Sequence, residues 1–135
     1  MTDPGGALLA AAMRHLGAPF RLHGRDAGTG LDCVGLVTAA LAGIGRPALA
    51  PSAYSLRWAD LPAMDRAARA AGLIPAQGMM RDGDVILALV GPVQFHLLIA
   101  APQGMTIHAH AGLGRVVLSA RPEDWPTIRH WRIAP

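Results

Sequence analysis

Leu31-Asp32-Cys33-Val34-Gly35-Leu36-Val37 contains the only cysteine of the chain and opens a helical stretch. Asp32 suits an N-cap, which leaves Cys33 in the first helical turn. Unpaired backbone N–H groups and the helix dipole favour an anion there. A thiolate, the reactive form of cysteine, is stabilised in such a place. A lone cysteine is also commonly a small buried hydrophobe. Cys33, Leu36, Val37, Ala40, Leu41 and Ile44 share one apolar stripe, so a packed central helix is expected over about 33–43. Gly43 and Gly45 end it. Gly35 costs helix propensity, and close approach by another element would justify it.

Upstream, Leu9, Ala12, Met13 and Leu16 recur at helical spacing, predicting a helix over 6–16 that Gly17 terminates. Residues 21–31 form a glycine-containing loop that reads either as plain surface or as a wall over Cys33. Downstream, Pro47 and Pro51 keep the chain extended. Residues 51–58 carry Tyr54 and Trp58, as a turn packing two aromatics on the domain edge or as a wall of a substrate groove. A second amphipathic helix is predicted over 60–71, capped by Asp60 and stopped by Gly72. Met79 and Met80 read as flexible core filler.

From Arg81 the period changes. Asp82-Gly83-Asp84 signals a turn, with Asp84 read as a turn residue. Strands are predicted over Val85–Val90, Gln94–Ala101, Met105–His110, Arg115–Ser119 and Ile128–Ile133, joined by glycine turns. Helices first and strands last define an α+β class, with N-terminal helices packed on an antiparallel sheet of about five strands. The 135 residues suit one domain, 1–135, with its own core.

Apolar residues make up 52% of the chain and charged residues 16%, which excludes a disordered chain. One cysteine excludes an internal disulfide framework and a four-cysteine zinc site. The basic residues are all arginine, scattered from Arg14 to Arg132, and give a net charge of only +3. Nucleic-acid binding would need a concentrated basic footprint. No apolar run is long enough for a membrane span, and no basic leader marks a signal peptide. Synthesis in the cytoplasm without a signal peptide is therefore expected.

A thiol nucleophile needs a base, and the base an orienting group. Of six histidines, His96 lies within an apolar strand and must find partners if buried. Alternation puts Thr106, His108 and His110 on one face of the next strand. Pairing across Pro102–Gly104 would bring His96 and His108 together. Cys33, His96 and His108 then make a nucleophile, a base and an orienter, with His110 an alternative orienter. The same three residues are an acceptable zinc ligand set, although that would sequester the thiol. His15, His23 and His130 read as structural or surface groups.

These residues resemble the NlpC-type papain-like cysteine peptidases, and more narrowly a branch from the tail regions of phages, prophages and gene transfer agents. The resemblance is carried by Gly17-Ala18-Pro19-Phe20, by Gly30-Leu31-Asp32-Cys33-Val34-Gly35-Leu36, and by Pro51-Ser52-Ala53-Tyr54-Ser55 with Trp58. It continues through Asp82-Gly83-Asp84-Val85, His96-Leu97-Leu98-Ile99 and Ile107-His108-Ala109. The last element selects His108 over His110. The resemblance implies a papain-like fold and hydrolysis of peptidoglycan stem peptides, typically between γ-D-glutamyl and the diamino acid. It implies an oxyanion met by the Cys33 N–H, no metal or organic cofactor, phage-like tail proteins as partners, and delivery to the periplasm from a tail. The family commonly has a tyrosine at Phe20, a serine at Val34 and a proline at Asp82. A structural tail-assembly protein with weak or lost activity is the alternative expectation.

Overall fold

The computed structural model describes residues 3–51 and 60–135. Tyr54 and Trp58, and with them the aromatic turn expected over 51–58, lie outside the described residues. Among the described residues three α-helices each begin on an aspartate. In α1 (Pro4–Met13), Asp3 accepts the Gly6 N–H at 3.1 Å. In α2 (Cys33–Gly43), Asp32 accepts the Gly35 N–H at 2.8 Å. In α3 (Leu61–Ala70), Asp60 accepts the Ala63 N–H at 3.1 Å. Each bond satisfies one of the orphan donors of a helix start.

The bounds of α2 and α3 agree with the apolar periodicity. Helix α1 begins and ends earlier than expected. Pro4 occupies its first position, where a missing N–H costs nothing. At the other end, His15 and Leu16 bond back only three residues, to Ala12 and Met13. The apolar spacing of Leu16 therefore continues past the last α-helical turn.

The strands are β1 (Arg25–Asp26), β2 (Gly30–Leu31), β3 (Leu73–Pro75), β4 (Val85–Leu89), β5 (Phe95–Ala100), β6 (Met105–His110), β7 (Arg115–Ala120) and β8 (Thr127–Ile133). The main sheet has six antiparallel strands in the order β3-β8-β4-β5-β6-β7. The extra strand is β3, a three-residue edge paired to β8 through Leu73↔Ile133. It is too short for a period, and it ends on Pro75, a residue tolerated at sheet edges. β1 and β2 pair to each other and turn the expected loop 21–31 into a small hairpin.

Two apolar clusters fix the layers. Val85, Leu87, Leu97, Ile99, Ile107, Ala109, Val116 and Trp131 pack with Leu8, Leu36, Val37 and Leu41 of the helices. Ile86, Ala88, Leu98 and Ala100 form a smaller cluster on the other face, against Val90 and Trp125. β4 is thus covered on both sides, which explains its unbroken apolar run. Each fully buried leucine or isoleucine contributes about 1.5–3 kcal/mol. Helix α2 is buried nearly all round its first two turns and serves as the central packed helix.

Candidate active site

The site starts from Asp32. Its carboxylate caps α2 and also accepts the His23 N–H at 2.8 Å and Arg25 Nη1 at 2.9 Å. One buried side chain thereby ties the β1–β2 hairpin to the start of the cysteine helix. Gly35 permits this closeness, since a Cβ there would stand 2.0 Å from the Gly24 carbonyl oxygen. The close approach expected at Gly35 is made by Gly24, within the segment 21–31.

Cys33 is free and buried, 3% exposed. Burial pushes its thiol up to about 12, with Asp32 adding in the same direction. Backbone groups of Leu97, Val34 and Cys33 itself act the other way. The stabilised thiolate expected from the helix start is therefore overridden by burial in the resting protein, and the thiol stays protonated. The influence of Leu97 locates the sulfur one residue along β5 from His96. Pairing between β5 and β6 stops at Ile99↔Ile107. Beyond it, this edge of β5 carries no β6 partner, and the Leu97 amide acts on the sulfur instead.

His96 and His108 meet ring to ring, with Nε2 of His96 2.9 Å from Nδ1 of His108. Their planes stand at 82°. Burial depresses His96 to about 3, assisted by His108 and His110 and opposed by Asp32. Burial and His110 depress His108 to about 4. Both rings are therefore neutral near pH 7, and one can act as a base. With Nε2 of His96 engaged by His108, the nitrogen left for a thiol proton is Nδ1. Trp125 stands edge-on to both rings at 6.0 and 5.9 Å between centroids and helps to keep them dry.

His110 takes a different role. Its Nδ1 accepts the Leu113 N–H at 3.0 Å, which turns the ring into the β6–β7 connection. The structure thus brings His96 together with His108. Nε2 of His108 in turn lies 3.1 Å from Ser119 Oγ on β7. Ser119 and Trp125 are contacts that reading the sequence did not find. Ser119 pairs with Thr106 in the β6–β7 register, so strand alternation counted from His108 was the available signal. Trp125 lies in an irregular segment with no period to read.

The zinc alternative finds no support in this arrangement. Among the described residues no group of three or more His, Cys, Asp or Glu is placed to hold a metal ion. The facing nitrogens of His96 and His108 are 2.9 Å apart and hydrogen-bonded to each other. Among the described residues no helix is long and apolar enough to cross a membrane.

Asp84 is more than a turn residue. It is fully buried, accepts the Arg81 N–H at 2.9 Å, and pairs with Arg132 through Nε at 2.9 Å and Nη2 at 2.8 Å. His130 Nε2 contacts the same carboxylate. Asp84 and His130 therefore form a structural clamp between β4 and β8. His15 and His23 lie outside the ring pair.

No family model and no curated protein matches the sequence. Solved structures do match its fold. NlpC1 from Trichomonas vaginalis superposes with a TM-score of 0.70 at 17% identity, over 98% of this chain and 46% of that one. The NlpC/p60 domain of the peptidoglycan hydrolase SagA gives 0.62 at 23% identity, over 87% and 90%. The P60 domain of antigen MAP1204 from M. avium subspecies paratuberculosis gives 0.61 at 23%, over 97% and 95%. The chain spans less than half the length of NlpC1, NlpC2 and the Bacillus cereus NlpC/P60 protein. The fold is that of NlpC/p60 proteins: N-terminal helices against a multistranded antiparallel sheet, with a buried cysteine at a helix start.

Proposed function

We propose that the protein is a cysteine peptidase of the NlpC/p60 type that cleaves peptidoglycan stem peptides, with Cys33 as nucleophile, His96 as base and His108 as the residue that orients His96. The observation that carries this reading is the 2.9 Å bond between the half-buried His96 ring and the buried His108 ring, together with a buried cysteine at the start of α2 that the backbone of Leu97, the neighbour of His96, acts on. The likeness in fold to the NlpC/p60 domain of a peptidoglycan hydrolase supports the substrate class. In the reaction, Nδ1 of His96 takes the Cys33 proton as sulfur attacks the scissile carbonyl carbon. The C–N bond breaks, and His96 returns the proton to the leaving amine. Water then releases the acyl group from sulfur, again with His96 as base. The Cys33 backbone N–H meets the developing oxyanion. No metal or organic cofactor takes part. The bond attacked is that between γ-D-glutamyl and the diamino acid.

Defined muropeptides incubated with wild type and Cys33→Ala test the reading. Cleavage by wild type alone is expected, and cleavage retained by Cys33→Ala overturns it. Mass spectrometry of the products identifies the bond.

Placement in a phage-like tail, with delivery to the periplasm, is the narrower part of the proposal. It is supported by the resemblance of Pro51-Ser52-Ala53-Tyr54-Ser55 with Trp58 to an element of the phage branch. Co-purification with tail proteins is the expected result, and failure to bind any tail component overturns it. A structural tail protein with a decayed site is favoured by one residue: Phe20 brings no hydroxyl where the resembling family commonly has tyrosine. That reading predicts tail binding without cleavage of any muropeptide.

A further inference from the structure

We infer that Ser119 is a positioning residue that fixes which nitrogen of His108 carries its proton, and through His108 sets His96 in the form able to accept a proton from Cys33. The inference rests on the nucleophile–base reading above. Three side chains joined in sequence by two hydrogen bonds carry it. His96 Nε2 faces His108 Nδ1 at 2.9 Å, and His108 Nε2 faces Ser119 Oγ at 3.1 Å. Ser119 is itself held in place, since Thr106 Oγ1 donates to its carbonyl at 3.2 Å. The β6–β7 register pairs His108 with Val117 and Thr106 with Ser119, which sets the hydroxyl diagonal to the ring.

Each neutral ring has one proton to place on two nitrogens. For His96 to accept at Nδ1, its proton must be on Nε2, donated to a bare His108 Nδ1. The His108 proton is then on Nε2, and its acceptor is Ser119 Oγ. The opposite arrangement puts a proton on His108 Nδ1 and drives the His96 proton onto Nδ1, where it blocks transfer from the thiol. When His96 becomes an imidazolium, its Nε2–H presses harder on His108, and the bond from His108 Nε2–H to Ser119 strengthens with it. A hydroxyl accepting at this point therefore favours both the resting form and the charged form that the reaction needs. His110 makes its own bond to the Leu113 N–H and does not compete for the His108 nitrogen.

The test compares Ser119→Thr, which keeps a hydroxyl, with Ser119→Val, its isostere without one. Both side chains suit a strand. The readouts are the 15N shifts of the His108 and His96 rings in the resting protein and the rate of Cys33 alkylation by iodoacetamide across pH. The expected result is an Nε2-protonated His108 in wild type and Ser119→Thr. Ser119→Val should show a mixed or Nδ1-protonated ring and alkylation about tenfold slower at pH 7. Wild-type tautomers and rate in Ser119→Val overturn the inference, as does loss of the wild-type tautomer in folded Ser119→Thr. His96→Ala separates the two levels: alkylation unaffected by that change rejects His96 as base, while the ring shifts still report on Ser119 independently.

Discussion

His96 bonds to His108 although the sheet register does not set the two residues opposite each other. β5 and β6 pair through Ile99↔Ile107 and Ala100↔Thr106. Continued at that register, His108 would face Leu98, and His96 would face His110. The strands stop pairing before that point, and the rings meet on the diagonal at 2.9 Å. The same gap leaves the Leu97 amide free to act on Cys33. Separation of the two strands thus frees one edge of β5, where the Leu97 backbone acts on the thiol and the neighbouring His96 ring meets His108.

The first prediction concerns the thiol. A group held at about 12 with no partner would be ionised in about one molecule in 10⁵ at pH 7 and would be inert. If His96 takes its proton, Cys33 reacts with iodoacetamide at neutral pH. His96→Ala should slow that reaction about 10²-fold or more, within the range for general base assistance. It should also move the rise in rate to alkaline pH. Alkylation followed by mass spectrometry across pH 6–11 gives the profile (the pH range is about that over which the two curves separate). Equal profiles would remove His96 from the role of base.

Acid lability follows from the ring pair. His96 falls to about 3 and His108 to about 4 in the folded protein, below their ordinary 6.5. The unfolded chain therefore binds more protons than the folded one between these values. Stability rises with pH through that window and is lost as pH falls from about 6.5 towards 3. Asp84, also held below its ordinary value, loses its contribution in the same direction at the acid end. Urea unfolding at several pH values should show this slope. His96→Gln and His108→Gln should each flatten it between about pH 6.5 and 4. A slope unchanged in both variants would exclude the rings as its source.

Local rules read the elements well where a period was long. The stripe through Cys33, Leu36, Val37, Ala40 and Leu41 gave the bounds of α2, and Asp32 and Asp60 gave two of the caps. β3, β1 and β2 were not legible, because two or three residues carry no period and their pairing is tertiary. His96 and His108 were legible as partners from strand order. Their diagonal contact was not, because it depends on where β5 and β6 part. Of the two readings open for Cys33, the buried thiol rather than the stabilised thiolate describes its resting state. A helix start favours an anion, but sequence does not report the burial that overrides it. Asp84 looked like a turn residue because its partners, His130 and Arg132, lie 46 and 48 residues away.

Gly35→Ala should damage the site through its backbone. The added Cβ would stand 2.0 Å from the Gly24 carbonyl oxygen, and backbone cannot yield as a flexible side chain does. Helix propensity alone would make alanine better by about 1 kcal/mol. Overpacking of this kind costs about 1–3 kcal/mol or more and should reverse that gain. Because Gly24 belongs to the segment that Asp32 holds through the His23 N–H and Arg25, displacement also disturbs the cap beside Cys33. The variant should lower the thermal midpoint and slow alkylation of Cys33 together. A midpoint at or above wild type would contradict the close packing of this hairpin on α2.

Asp84→Asn separates stability from chemistry. The Asp84 side chain is 1% exposed, and the exposures of its partners His130 and Arg132 are 9% and 24%. An amide keeps the shape but removes the charge that holds both partners and adds N–H groups facing donors. Removing one member of a fully buried pair costs about 3–5 kcal/mol. Water still reaches part of Arg132, so about 2–4 kcal/mol is expected here. For a chain of this size that lowers the thermal midpoint by about 10 °C. The site should not share the loss. Asp84 lies four residues along β4 from Ala88, which pairs with His96, a separation of about 13 Å at the rise of a strand. Alkylation of Cys33, measured well below the midpoint and per folded molecule, should therefore match wild type. A fall in that rate together with an unchanged midpoint would reverse the assignment and bring Asp84 into the machinery of the site.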